Sequence, residues 1–106
     1  MRFVRRKWGW YFVLLSGEHY KVKLLRFHHR GRLSLQYHNK RSELWIFLSG
    51  NGGIQTDRIG TEHLVNAGDY YLAAVGEWHK YCAYKPTWVL EIQYGIKCEE
   101  NDIVRI

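Results

Sequence analysis

The 106 residues predict one all-β domain, a sandwich or a barrel, on three observations. Segments of strand length follow one another with apolar and polar residues alternating. Glycine-rich corners separate them at intervals of roughly ten residues, and no stretch carries the apolar period of a helix. Apolar residues make up 46% of the chain and aromatics 16%, enough to fill one core at this length and too much for a disordered segment. A single domain is expected over 1–106, without linker, internal repeat or low-complexity segment.

Residues 2–10 are basic and aromatic around Trp8-Gly9-Trp10. Residues 11–15 are an apolar run of strand length, closed by the turn Ser16-Gly17-Glu18. In 20–27, Tyr20, Val22 and Leu24 share one face, and Lys21 and Lys23 the other. His28-His29-Arg30-Gly31 is a polar turn; adjacent strand residues point to opposite faces, so this histidine pair is expected in solvent rather than on a metal. Residues 33–38 and 43–48 read as two strands joined by a short polar turn. After Asn51-Gly52-Gly53 a hairpin is expected over 54–65 with its turn near 57–60. Strands follow at 70–75, 78–83 and 88–94, the last behind the break at Lys85-Pro86-Thr87, and residues 97–106 form a polar tail.

No apolar run approaches a membrane span. The basic start leads into a segment that holds Gly9 and no cleavage-like site, so a secretory signal is not expected and a cytoplasmic location is. In that compartment Cys82 and Cys98 are expected as free thiols. The net charge of +6 is unevenly spread: residues 1–41 carry eleven Lys/Arg against one acid, and residues 42–106 carry five against nine. That asymmetry points to an anionic partner, for which nucleic acid and a phosphorylated small molecule are both open.

The stretch 31–50 organises the chain. Along its first strand Ser34, Gln36 and His38 share one face and Leu33, Leu35 and Tyr37 the other; Glu43 follows just past the turn. An amide oxygen, an imidazole and a carboxylate that converge make ligands for a divalent metal. The same alternation is also what a half-buried strand shows to water, so these residues alone leave both readings open.

The corner spacing adds a resemblance. Gly31, His38, Glu43 and Gly50 resemble the first motif of the cupins, and Gly68 through Gly76-Glu-Trp-His79 resembles the second. The run from Leu33 to Trp45, Leu-Ser-Leu-Gln-x-His-x-x-Arg-x-Glu-x-Trp, looks like the cupin domain of type II mannose-6-phosphate isomerases, often fused behind a mannose-1-phosphate guanylyltransferase. Trp8-Gly9, Tyr20-Lys-Val-Lys23, Glu91-Ile-Gln-Tyr-Gly95 and Asp102-Ile-Val-Arg105 resemble further motifs of that family. The chain departs from the pattern at Asn39, Lys40, Leu44, Ala74 and Ala83, and the cupin part is expected to stand alone here, without nucleotidyl transfer.

The resemblance implies a single-domain cupin, a double-stranded β-helix or jelly-roll barrel, whose Gln36, His38, Glu43 and His79 hold one divalent ion per chain, Zn, Mn, Fe or Ni. It implies a metal-dependent aldose–ketose isomerase of carbohydrate metabolism, converting mannose-6-phosphate to fructose-6-phosphate. Lys21, Lys23 and Glu91 are its catalytic candidates; Arg41, Lys40, Gln93 and Arg105 are candidates to hold a phosphorylated sugar or small anion. Two other readings stand beside it. One is a metal cupin that binds a sugar or anion without this turnover. The other, weaker one is a basic nucleic-acid-binding barrel with Trp8, Trp10, Tyr11 and Tyr20 as stacking platform. Strand edges and aromatics such as Trp45, Trp78, Trp88, Tyr70 and Tyr71 suggest a homodimer.

Overall fold

In the computed structural model, which describes residues 2–105, the chain forms eleven strands and no helix. They are β1 (Arg2–Arg6), β2 (Gly9–Ser16), β3 (Tyr20–Phe27), β4 (Gln36–Tyr37), β5 (Arg41–Ser49), β6 (Asn51–Gln55), β7 (Glu62–Asn66), β8 (Tyr70–Ala73), β9 (Lys80–Ala83), β10 (Thr87–Gly95) and β11 (Val104–Arg105). A six-stranded sheet runs β1-β2-β3-β10-β5-β8, a three-stranded sheet β7-β6-β9, and β11 pairs with β4. Every pairing is antiparallel. Among the described residues no helix is long and apolar enough to cross a membrane.

The alternation in β3, β5 and β10 builds the interior. Lys21, Lys23, Leu25 and Phe27 of β3 are buried, as are Arg41, Glu43, Trp45 and Phe47 of β5, and Thr87, Val89, Glu91 and Gln93 of β10. Register sets these side chains in rows across the sheet. Val89 lies between Leu25 and Phe47, Glu91 between Lys23 and Trp45, and Gln93 between Lys21 and Glu43. The inward face is therefore apolar at one end and polar at the other.

At the apolar end the two sheets meet around Tyr81 of β9, which is fully buried. Its ring stands edge-on to Phe27 at 4.9 Å and lies 5.2 Å from Phe47, and its hydroxyl is 2.9 Å from Thr87 Oγ1. Such aromatic packing, with the one polar atom satisfied, fixes the spacing of the sheets. Gly50, between β5 and β6, has φ of 79°, and a Cβ there would run into the Pro86 carbonyl. The corner therefore requires glycine.

The expected strands at 11–15, 20–27, 43–48 and 88–94 and the hairpin over 54–65 are present, within a few residues at each end. Three differences matter. Basic residues 2–6 form an edge strand beside β2. The strand expected over 33–38 narrows to Gln36–Tyr37, which pairs with β11 over two residues; on its other side the stretch makes only isolated bridges, Arg32 to Cys82 and Gln36 to His79. The tail is no loose end, since residues 98–105 fold back over the polar end of the barrel; Ile106 lies outside the described residues. Cys82 and Cys98 are free thiols, and His28 and His29 are exposed.

Candidate metal centre

Three segments carry the ligand candidates to the polar end. His38 follows β4, Glu43 is the third residue of β5, and His79 immediately precedes β9. The backbones of Gln36 and His79 exchange hydrogen bonds of 3.0 and 2.8 Å, which places the second motif against the first. Gly76, at φ 77°, turns the corner before His79 and donates its N–H to the His38 carbonyl at 2.8 Å.

The two rings are held alike. His38 Nδ1 lies 2.7 Å from the Asp102 carbonyl and His79 Nδ1 lies 3.1 Å from the Glu77 carbonyl. A carbonyl only accepts, so each Nδ1 is the donor, and a neutral ring keeps its lone pair on Nε2. Both Nε2 atoms face Glu43: His38 Nε2 is 3.1 Å from Oε2 and His79 Nε2 is 3.3 Å from Oε1. Despite that distance, His79 Nε2 is buried without an aligned hydrogen bond. Lone pairs turned on a carboxylate repel it unless a cation lies among them; Arg41 Nη2, 3.5 Å from His38 Nε2, meets that need on the His38 side, and at His79 a proton or a metal ion would meet it.

Electrostatics at the centre follow from this packing. Burial would raise the Glu43 carboxyl, but His38 and His79 outweigh it and hold it well below the usual range. Burial would lower the His79 imidazole, but the Glu43 carboxylate more than offsets it and the ring is raised. Arg41 adds a positive charge, its Nε and Nη2 each 3.0 Å from Glu43 Oε2, and Trp45 Nε1 donates to Oε1 at 3.3 Å.

The ligand atoms of His38, Glu43 and His79 lie within 4.8 Å of one another, so the group could hold a metal ion. Two imidazole nitrogens and a carboxylate, each ring oriented through its other nitrogen by a carbonyl, fit a divalent transition ion. Gln36 is buried beside them; its Nε2 donates to the Ser34 carbonyl at 3.2 Å, which leaves the amide oxygen as its free donor atom. Ser34, which shares their face in a regular strand, is exposed, because the chain around it is not strand.

These residues open on a cavity of about 120 Å³, also lined by Lys23, Glu91, Gln93, Glu100 and Arg105. Glu91 is deeply buried; desolvation, then the charge of Glu43, push its carboxyl up to about 7. Gln93 is fully buried, donates to Glu91 Oε1 at 2.8 Å, and keeps an oxygen without a partner. Lys21 and Lys23 point inward and meet Glu100.

Of the residues expected to hold phosphate, Arg41 is buried and gives its remaining Nη1 to the Glu99 carbonyl at 2.5 Å. Lys40 is exposed on the turn, 3.9 Å from Glu99, and does not line the cavity. Arg105 is at the rim, on β11. Sequence reasoning missed the tail: Asp102 accepts from the Asn39 and Lys40 N–H groups at 2.9 and 2.8 Å, and Glu100 sits on the lysines. The sequence Asp102-Ile-Val-Arg105 was the one visible signal that this segment is ordered.

A barrel of this topology with two histidines and a glutamate converging inside defines a cupin, and comparison with known proteins agrees. Solved structures similar in fold include an RmlC-like cupin from Shewanella frigidimarina (TM-score 0.79, 12% identity, 94% of this chain and 86% of that one). A sugar phosphate isomerase of the cupin superfamily from Silicibacter pomeroyi is also similar (TM-score 0.71, 20% identity, 80% and 58%). The chain belongs to the mannose-6-phosphate isomerase C-terminal family, whose model matches residues 1–106. Its relatives include a mannose-1-phosphate guanylyltransferase of Escherichia coli (30% identical over 99% of this chain) and the xanthan biosynthesis protein XanB of Xanthomonas campestris (34% over 98%). The chain spans 22% of the length of each of these relatives.

Proposed function

We propose that the protein is a metal-dependent aldose–ketose isomerase for a phosphorylated hexose, of the mannose-6-phosphate to fructose-6-phosphate kind. The observation that carries the reading is the pair of histidines whose Nδ1 atoms are committed to carbonyls while both Nε2 atoms converge on Glu43. His38, Glu43 and His79 would hold the ion, with the Gln36 oxygen as fourth donor. Bound there, a divalent ion supplies Lewis-acid stabilisation to the negative charge that develops on the sugar oxygens.

Glu91 is the group suited to move the proton. A carboxyl near 7 is half ionised at neutral pH, able both to take a proton from C2 of the open-chain aldose and to return it to C1. Gln93 fixes Glu91 through its amide donor. The family membership and the description of the Silicibacter neighbour as a sugar phosphate isomerase support a phosphosugar substrate. Departures from the family pattern fall away from the chemistry: Asn39, Lys40 and Ala74 are exposed, Leu44 projects from β5 on the face opposite Glu43, and Ala83 is buried in the apolar core on β9. The nucleic-acid reading loses part of its platform, since Tyr11 is in the core and Trp8 stacks on Phe27 at 4.4 Å.

The test is metal analysis of purified wild type beside His38→Ala and His79→Ala, followed by a hexose 6-phosphate isomerase assay. Wild type is expected to hold about one divalent ion per chain, as a single three- or four-donor site requires, and the variants almost none. Turnover should follow the ion through chelation and restoration. No metal after reconstitution would overturn the metalloenzyme reading, and metal with no turnover would leave a binding cupin.

A further inference from the structure

A second constellation adjoins the same cavity: Arg6, Tyr11, Lys23 and Glu100 line it, and Lys21, outside the lining, joins them through Glu100. Lys21 and Lys23, on β3, turn both ammonium groups inward, with side chains only 11% and 7% exposed. Lys23 Nζ lies 2.8 and 2.9 Å from the two oxygens of Glu100 and 4.3 Å from the centre of the Tyr11 ring; Lys21 Nζ lies 3.1 Å from Glu100 Oε2. The Tyr11 hydroxyl donates to Glu100 Oε1 at 3.3 Å, and Arg6 Nη2 reaches that hydroxyl at 3.5 Å.

The charges at this spot do not balance. Two nearly buried ammonium ions, with a guanidinium behind them, face the Glu100 carboxylate and, across the β3–β10 register, Glu91, whose carboxyl near 7 is only part ionised at neutral pH. Burial of a cation without a matching anion is costly, so a purely structural cluster would be expected to pair one to one. A phosphate monoester dianion would balance both lysines. Glu100 itself is placed to leave: its side chain is 36% exposed, against 11% and 7% for the two lysines. Its backbone need not move, since Asp102 pins the tail to the Asn39 and Lys40 amides and, through its carbonyl, to His38.

We propose that Lys21 and Lys23, backed by Tyr11 and Arg6, form the subsite for the phosphate end of the ligand, and that Glu100 is an internal carboxylate that the incoming phosphate displaces. The identity of the ligand rests on the phosphosugar reading above; the anion subsite does not depend on turnover. Lys23 lies directly across from Glu91 in the β3–β10 register, so a phosphate held here keeps the sugar chain within the cavity that His38, Glu43 and Glu91 line. The lysines hold the Glu100 carboxyl near 2 against the effect of its burial, as an anion-selective site would.

Titration calorimetry with inorganic phosphate tests this on wild type, Glu100→Gln and Lys23→Met, with melting temperature and metal content measured alongside. Glu100→Gln removes the competing charge and is expected to tighten phosphate binding by about tenfold or more, the scale of a charge-assisted contact; Lys23→Met is expected to weaken it by a similar factor. A lowered melting temperature in Glu100→Gln with unchanged phosphate affinity would show a structural ion pair and overturn the proposal. So would wild-type phosphate binding by a folded Lys23→Met protein, which would place phosphate elsewhere, on a metal included. The tightening in Glu100→Gln without any isomerase turnover would support the subsite while removing the isomerase, so the two readings fail separately.

Discussion

Glu91 shows how far one residue's surroundings can set its chemistry. Its register partners are Lys23 on one side and Trp45 on the other, and Glu43 is near enough to repel its charge. From the sequence it was one inward candidate among several. That it is raised while Glu43 is lowered depends on which neighbours carry protons or positive charge, and alternation does not encode this. The consequence for stability has a definite sign. An ordinary Glu ionises near 4.5 and Glu91 near 7, so between those values the unfolded chain has lost a proton that the folded chain keeps. Stability is therefore expected to fall as pH rises from about 4.5 to about 7, by on the order of 3 kcal/mol at most, and to level off above. Urea denaturation of wild type and Glu91→Gln at pH 5 and pH 8 reads this directly: the variant should lack most of the loss. Turnover should rise with pH, because the base must be ionised to accept a proton, and the variant should lose it at every pH. Equal pH slopes in the two proteins would assign the titration to another group.

At the scale of elements, the tail and β4 were the least legible parts. Residues 97–106 carry no alternation and read as a polar end, yet residues 98–105 supply the His38 partner, the Arg41 partner and the short strand beside β4. Their order comes from specific polar contacts rather than from a periodic apolar face, and a single sequence does not display such contacts. Residues 33–38 differ in the other direction: the alternation was real, but a strand needs continuous pairing, and this stretch has two residues against β11 and isolated bridges to residues 79–82. Asp102 is the joint between them, with its carboxylate on two backbone N–H groups at the turn before β5. Asp102→Ala leaves those donors without their partner and frees the segment that orients His38. It is expected to cost about 2 kcal/mol in denaturant unfolding, the scale of losing charge-assisted hydrogen bonds from part-buried donors, and to weaken metal retention although no ligand is altered. A variant with wild-type stability and metal content would show that the tail is held by other means.

Across the whole molecule, what the sequence could not decide was which face of the strands points inward. Periodicity separates Lys21 and Lys23 from Val22 and Leu24, and Glu91 and Gln93 from Ile92, but a one-sided sheet would turn the charged rows to water. Here the charged rows face in. Only the motif spacing indicated that, by way of a resemblance rather than a physical necessity. The barrel meets the cost by confining polar residues to one end and stacking Leu25, Val89 and Phe47 in the row beyond them. Such an interior should depend on what fills its polar end. If His38, Glu43 and His79 hold an ion that the unfolded chain does not, stability rises with ion concentration by mass action, by about 2.7 kcal/mol at a hundredfold excess over the dissociation constant. For a chain of this length that corresponds to a melting shift on the order of 10 °C. Thermal melts with a chelator, and then with Zn or Mn added back, should differ by that much in wild type and coincide in Glu43→Gln, whose amide cannot replace the carboxylate charge between the two rings. Coincident melts in wild type would mean that the polar end is held by protons and hydrogen bonds alone, with His79 protonated against Glu43 in place of the ion.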